Sequence, residues 1–200
     1  MARLLVPLVL VVACGSEEKL SVYDAVPDAA ITSHSSGDSV RHSIPMLSTE
    51  KAYTQDSLQR FIDRVHKESK TIGISNPLFR ITPKLDGMAG KDENGILASR
   101  GDGRTGADIT HIFHRGVVAK GGRNLGVGEI VMVKSYFAAN FSTEFEHPRN
   151  MVTGCVNSDE VNSSTQKALD DGMIHFVPYT TLEKWVGSGE EMLQNIEEIT

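Results

Sequence analysis

The chain has 200 residues, of which 40% are hydrophobic and 23% charged, a composition typical of a globular domain with one substantial core. Its formal net charge of -6 argues against binding nucleic acid by bulk electrostatics alone. The two cysteines, Cys14 and Cys155, are too few for a disulfide framework or a four-thiolate zinc site.

The charges are distributed unevenly along the chain. Between Arg80 and Lys134, nine Lys and Arg residues stand against six Asp and Glu residues, whereas two stand against nine between Asp159 and Thr200. A locally basic middle fits a protein that meets a phosphate-bearing ligand there. The acidic end is also consistent with a solvated helix face.

The first fourteen residues allow two interpretations. Arg3, the apolar run 4–13 and Cys14 resemble a short secretory signal with a lipoprotein cleavage box, although the run is too short to span a bilayer. The same run would equally form a buried strand or helix. A Ser-, Asp-, Ala- and Pro-containing lead-in follows, so we predict a poorly defined segment over 1–44 and a domain over 45–200.

The compact region is predicted to begin with a helix and a strand. Thr54 is placed to cap a helix whose apolar stripe consists of Leu58, Phe61, Ile62 and Val65. Alternation over 78–82 predicts a strand that runs into the sequence Lys84-Leu85-Asp86-Gly87. Asn94 and Gly95 predict a hairpin turn before a strand over 96–99.

The rest of the chain alternates between further strands and helices. Strands are predicted over 129–133 and 174–179, and helices over 135–141 and 164–171, the latter stopped by Gly172. Capping patterns start at Thr180 and Ser188, and the second opens a helix with Met192 and Leu193 inward. These elements predict an α+β fold with short, largely antiparallel sheets and flanking helices.

Lys84 is the strongest candidate for a chemical role. A lysine acts as a nucleophile toward carbonyl carbon or phosphorus once it loses its proton. Lys84 follows a strand that holds its backbone, while Asp86 and Gly87 form a tight turn that lets a planar ligand approach the main chain. The pattern KxDG alone is weak, because it also occurs by chance in surface turns.

Three later segments offer groups that bind a nucleotide. The Gly-rich loop from Arg100 to Thr110 presents backbone N–H groups and two guanidinium groups to a phosphate. Glu129 opens a strand, where its carboxylate would accept hydrogen bonds from ribose hydroxyls. Arg149 is predicted on a loop as a bidentate reader of phosphate. His111 and His114 are three residues apart but lack a third ligand, so no protein metal site is predicted.

The ordered segments resemble the adenylation domain of the NAD-dependent DNA ligases of bacteria and their viruses. The family carries KxDG, TRGDGTTGEDVT, a GE strand and NPRN, and the chain has KLDG, SRGDGRTGADIT, GEI and HPRN. Upstream, HSIPMLSTEKAY is similar to the family's HxxPMLSLENAF. The resemblance extends from about His42 to Tyr179 and implies the nucleotidyltransferase fold of DNA ligases and mRNA capping enzymes.

The resemblance also implies roles for individual residues. Lys84 would attack the α-phosphorus of NAD, expel nicotinamide mononucleotide and carry AMP for sealing nicked double-stranded DNA in replication or repair, with Mg²⁺ neutralising the developing charge. Arg149 would face DNA phosphates. The nucleotide would be bound by Ser48, Thr49, Thr82, Asp86, Arg100 and Glu129.

Departures from the family pattern keep alternatives open. Thr82 stands where the family normally has an adenine-contacting glutamate, and no DGVVxK segment or later lysine motif follows before Thr200. We therefore expect either a truncated form or one subunit of a split enzyme, whose complementary C-terminal ligase subunit supplies the missing motifs. The expected location is the cytoplasm, or the host cytoplasm for a viral enzyme, with no membrane partner. The alternatives are a nucleotide-binding remnant without turnover and an exported protein lipid-anchored through Cys14.

Overall fold

The computed structural model describes residues 8–12, 38–46, 52, 54–182 and 185–199. Two units divide the chain, the first comprising 1–26, 48–84 and 183–200 and the second 27–47 and 85–182. The elements in chain order are β1 (Leu8–Val12), β2 (Ser39–Arg41), α1 (Gln55–Thr71), β3 (Phe79–Pro83), β4 (Met88–Glu93), β5 (Ile96–Ser99), β6 (Thr105–Ala107), α2 (Ile112–Arg115), β7 (Val118–Ala119), β8 (Gly126–Met132), α3 (Lys134–Asn140), α4 (Pro148–Asn157), α5 (Ser163–Asp170), β9 (Ile174–Pro178), β10 (Trp185–Gly187) and α6 (Gly189–Ile199).

In the first unit, α1 begins where the sequence predicts. The Thr54 hydroxyl accepts a hydrogen bond from the Ser57 backbone N–H, and the Thr54 backbone N–H donates one to the Ser57 hydroxyl oxygen. The two bonds form a capping box. The predicted apolar stripe faces inward, because Ile62 and Val65 are buried and Leu58 packs beside them. Both the helix and its cap are therefore confirmed.

The sheet of the first unit has three strands in the order β1, β3, β10, all antiparallel. Its central strand contributes Phe79 and Ile81 to a small core, which α1 and Met192 of α6 complete. A Cβ built on Gly189 would lie 2.8 Å from Ile62 Cγ2, so the start of α6 needs glycine at this position. The predicted capping box of Ser188 and Glu191 is confirmed.

Part of the apolar run near the N-terminus, residues 8–12, forms β1 and pairs with β3. For these residues the structure agrees with the strand alternative. The predicted cleavage at Cys14 concerns a residue outside the described ranges and stays a prediction. Among the helices described in the structure, none has the length and apolar character needed to cross a membrane.

The second unit is organised around a five-stranded sheet in the order β5, β4, β8, β9, β7. Its pairs are antiparallel except for β7 and β9, which run parallel. A separate two-stranded sheet pairs β2 with β6. The core includes Ile130 and Phe176 from the sheet together with Met151 and Val152 from α4. The predicted α+β class with largely antiparallel strands is confirmed.

A buried ion pair fastens the β4–β5 hairpin to the loop before β8. Asp92 is fully buried and accepts hydrogen bonds from Arg123 Nε at 2.8 Å and Nη2 at 2.9 Å. The Asn124 backbone N–H donates to the same carboxylate, and Arg123 lies 3.9 Å from the Phe113 ring centroid. Asn94 and Gly95 form the hairpin turn with positive φ angles of 54° and 82°, as predicted.

Two predicted features differ from the structure. Arg149 lies in the first turn of α4 rather than on a loop, because Pro148 occupies the first helical position and His147 caps the helix. The helix predicted over 135–141 begins one residue earlier, at Lys134, and its N-cap is Val133. Thr180 lies in a 3-10 turn over 179–181, and the rest of its predicted capping pattern falls outside the described residues.

The lead-in predicted over 1–44 also contributes to the described fold. Strand β2 lies within it and pairs with β6 in the second unit. The predicted domain boundary near Pro45 stays a prediction.

Candidate active site

The KLDG segment directly follows β3. Lys84 is exposed and is the last residue of the stretch 48–84 that belongs to the first unit. Thr82, two residues earlier, is buried in the same strand. A lysine that follows a paired strand has a restrained backbone while its amine stays accessible to a substrate.

Close packing determines the path of the chain at Gly87. A Cβ built on this glycine would lie 1.9 Å from the carbonyl oxygen of Ile130, a distance that no side chain tolerates. Ile130 belongs to the central strand β8 and is completely buried. The turn after Asp86 is therefore pressed directly against the sheet of the second unit.

Two residues at the start of α4 contact this turn. Arg149 Nε donates a 2.9 Å hydrogen bond to the Gly87 carbonyl oxygen, and its Nη1 lies 3.7 Å from Asp86 Oδ1. His147 Nε2 lies 3.4 Å from the other oxygen of Asp86. Arg149 thus contacts the turn itself, an interaction that its assignment as a DNA contact did not anticipate.

The Gly-rich segment forms a tight loop between β5 and β6. Asp102 Oδ1 accepts hydrogen bonds from the backbone N–H groups of Arg104 at 2.8 Å and Thr105 at 2.7 Å. These two bonds are the main cause that lowers the pKa of Asp102. Gly101 and Gly103 have φ angles of +56° and +88°, which side chains rarely adopt.

Residues near β2 support this loop from outside. His42 Nε2 is 3.1 Å from the Arg100 carbonyl oxygen, and the His42 backbone N–H donates to the Arg104 carbonyl oxygen. The Met46 backbone N–H donates to the Gly103 carbonyl oxygen at 2.7 Å. Contacts from His42 and Met46 therefore hold the backbone of the loop that begins at Arg100.

Glu129 lies on β8 and is 6% exposed. The Tyr179 hydroxyl donates a hydrogen bond to Glu129 Oε2 at 2.5 Å. Burial is the first cause that raises the pKa of Tyr179 and the Glu129 carboxylate the second, whereas Arg100 acts in the opposite direction. The phenol therefore keeps its proton and orients the carboxylate.

Tyr179 was not among the residues predicted from sequence to have a role. The available signal was a hydroxyl-bearing aromatic residue at the last position of a predicted strand, where the chain enters a loop and binding residues are frequent. Its partner Glu129 is 50 residues away in sequence, so the pairing had no local signature.

Two further groups of predicted residues have different outcomes. Ser48 and Thr49 lie outside the described residues. His111 and His114 belong to no metal-binding group, since the described ranges contain no set of three or more His, Cys, Asp or Glu side chains able to hold an ion. Burial is the largest cause that lowers the pKa of His111.

The model of the NAD-dependent DNA ligase adenylation domain family matches residues 34–200. The chain belongs to this family. It is 57% identical over 161 residues to a DNA ligase from Desulfatibacillum aliphaticivorans. The aligned region covers 80% of the chain and 26% of that protein. A DNA ligase from Psychromonas ingrahamii is 42% identical over 158 residues, and the aligned region covers 77% of the chain and 24% of that protein. A DNA ligase from Desulfotalea psychrophila is 40% identical over 167 residues, and the aligned region covers 82% of the chain and 25% of that protein.

The chain spans about a quarter of the length of these relatives. Lys84, Arg100, Glu129 and Arg149 all fall within the residues matched to the adenylation domain. Membership explains why these segments occur in this order, and it assigns the chain to an enzyme family. The α+β architecture agrees with that assignment.

Proposed function

We propose that Lys84 is the nucleophile that accepts AMP from NAD. The neutral amine forms a bond from Nζ to the α-phosphorus of the AMP half, the phosphoanhydride bond breaks, and nicotinamide mononucleotide leaves. The nitrogen releases a proton to solvent, and lysyl-AMP remains. The observation that supports this most is the exposed position of Lys84 directly before a turn that close packing and Arg149 hold in place.

The second unit provides residues for the nucleotide. Glu129, oriented by the Tyr179 hydroxyl, accepts hydrogen bonds from the ribose hydroxyls, and Arg100 contacts the phosphates. Thr82 and Asp86 complete the set on either side of Lys84, together with Ser48 and Thr49. A threonine lacks the carboxylate that the family uses on adenine, so we expect a weaker purine contact.

The donor set fits a magnesium ion that is held mainly by the substrate. Mg²⁺ in phosphoryl-transfer sites is bound by one or two carboxylates together with substrate phosphates and water. Asp86, an exposed carboxylate in the turn after Lys84 that also lies near His147 and Arg149, would be one such ligand. When bound, the ion neutralises charge that develops on the phosphates.

We further propose that the AMP is passed to the 5′-phosphate of nicked DNA and displaced by the 3′-hydroxyl. Arg149 would face the DNA phosphates with the part of its guanidinium group that does not contact Gly87. A complementary C-terminal ligase chain would supply the remaining steps, in the cytoplasm, for replication or repair.

Incubation with NAD labelled in its adenylate phosphate tests the first step. The label is expected on the wild-type protein and on Lys120→Ala, a matched control that removes another exposed lysine, and should be absent from Lys84→Ala. Label on the Lys84→Ala protein would refute the residue assignment. An unlabelled wild-type protein that still binds NAD would identify a nucleotide-binding remnant, and the addition of a C-terminal ligase chain would show whether turnover needs it.

A further inference from the structure

A shallow depression of about 470 Å³ opens on the second unit beside the Gly-rich loop. It is lined by Arg41, His42, Ser43, Pro45 and Arg104. The two arginines are exposed. Neither forms an ion pair with a carboxylate in the part of the chain that the structure describes. The depression thus presents two guanidinium groups that form no close ion pair with a described carboxylate, although the charge of Arg104 also acts on Asp102.

The backbone holds both arginines in position. Arg41 is the last residue of β2 and pairs with Thr105 of β6, and the residue after it donates to the Arg104 carbonyl oxygen at 2.9 Å. The Arg104 backbone N–H donates to Asp102. Because these bonds order the two chain segments already, binding an anion would cost mainly the rotamer freedom of the two side chains.

The nearby carboxylates are already engaged. Asp102 accepts two backbone hydrogen bonds within the loop. Glu93 lies 3.0 Å from Lys91 Nζ and accepts a 2.7 Å hydrogen bond from the Ser43 hydroxyl, while Lys91 also contacts Ser43. The Lys91 and Glu93 charges offset each other, so the two arginines together outweigh the single charge of Asp102.

We propose that Arg41 and Arg104 bind a phosphodiester group of the DNA backbone. The inference rests on the proposed ligase function and adds a DNA contact separate from Arg149. Guanidinium groups bind phosphate oxygens in a fork-like geometry, and such contacts position a protein on DNA without reading its sequence. Small-molecule sites enclose most of their ligand, whereas an open, shallow surface suits a phosphate that remains part of a long polymer.

Arg104 also departs from the family segment at this point. It stands at the sixth position of TRGDGTTGEDVT, which is a threonine in the family, in the chain's segment SRGDGRTGADIT. The second guanidinium group of the depression is therefore a property of this sequence rather than of the family segment.

The test measures how salt changes the affinity of the full chain for a labelled nicked duplex, in the absence of NAD. Each phosphate contact adds about 1 to the slope of log affinity against log salt concentration. We expect Arg41→Gln and Arg104→Gln each to lower the slope by about 1, and the double variant by about 2, equally for duplexes of different sequence. Arg104→Lys keeps the charge and should retain the slope.

The double variant Lys120→Gln, Lys134→Gln is the matched control, because it removes two exposed positive charges of the same unit outside the depression. An unchanged slope in the arginine double variant, or an equal loss in the control, would overturn the inference. A wild-type chain that does not bind the duplex would do the same. A raised KM for NAD with unchanged duplex affinity would assign the arginines to the nucleotide instead. Failure of the NAD-labelling assay, measured separately, would count against the proposed function alone.

Discussion

Arg149 donates from Nε to the carbonyl oxygen of Gly87 across 2.9 Å, so the helix α4 holds the turn that follows the proposed nucleophile. The contact joins residues that are 62 positions apart. It gives Arg149 a part in positioning the KLDG segment, independent of its proposed contact with DNA.

Replacement of Arg149 tests that role. We expect Arg149→Ala to slow the labelling of Lys84 by NAD about tenfold in the absence of DNA, which is the effect of losing one hydrogen bond of about 1.4 kcal/mol. Arg149→Lys retains the charge but not the planar donor group, so it should recover little of the rate. A normal labelling rate combined with weaker DNA binding would restrict Arg149 to the DNA.

Gly87→Ala should destabilise the second unit. The added Cβ would meet the Ile130 carbonyl oxygen at 1.9 Å, and relief requires a backbone shift that costs about 3 kcal/mol. Gly154→Ala is the control, since its Cβ within α4 meets nothing within 4 Å and alanine favours a helix by about 1 kcal/mol over glycine. Urea unfolding of both variants compares the free energies. Equal stabilities would contradict the close approach.

Removal of Arg123 should destabilise the protein, because the buried Asp92 carboxylate would lose its ion-pair partner. We expect Arg123→Ala to lower the free energy of unfolding by about 3–5 kcal/mol, because the fully buried Asp92 loses its bidentate partner. Lys167→Ala removes the exposed pair with Asp171 and should leave stability unchanged within error. Similar losses in the two variants would show that burial does not distinguish these pairs.

Tyr179→Phe removes the hydroxyl that orients Glu129, so KM for NAD in the labelling assay should rise about tenfold. The raised pKa of Tyr179 also links the residue to alkaline stability. The unfolded chain loses this proton above pH about 10, while the folded protein retains it, so stability falls as pH rises beyond that point. The fall should be smaller in Tyr179→Phe. Parallel pH curves for the two proteins would contradict the assignment.

Cys155 should resist alkylation in the folded protein. It is completely buried, and burial raises the pKa of its thiol to about 11. Iodoacetamide at pH 8 should modify the Cys155 peptide at least about a hundredfold more slowly than in urea, as followed by mass spectrometry. The same shift makes stability decline as pH rises from about 8.5, the unfolded pKa, toward 11. Rapid modification under native conditions would show that the core around α4 opens.

The features predicted correctly from sequence have local causes. The stripe and cap of α1, the Asn94–Gly95 turn and the Ser188 capping box each depend on residues within one or two turns of chain. By contrast, β6 and β7 are too short to show a pattern and exist because β2 and β9 pair with them. Helix α4 was missed because histidine is an uncommon cap, although Pro148 at its first position was an available signal.

For the candidate site, the motifs predicted individual residues but not the contacts that these residues make in the fold. Lys84, Arg100 and Glu129 could be named because their segments have a fixed order and composition. The contacts of Glu129 with Tyr179 and of Arg149 with Gly87 join positions 50 and 62 residues apart, and only the sheet and α4 bring them together. Long-range pairing of this kind has no periodicity that a single sequence reveals.

The pairing of β2 with β6 has a practical consequence for shortened forms of the protein. A chain that starts at Pro45, the boundary suggested by composition, would lack β2 and leave the backbone groups of Thr105–Ala107 without their antiparallel partner. Unpaired strand edges attract strands from other molecules. Such a chain is expected to self-associate at high concentration, whereas one that retains Ser39–Arg41 keeps this edge covered.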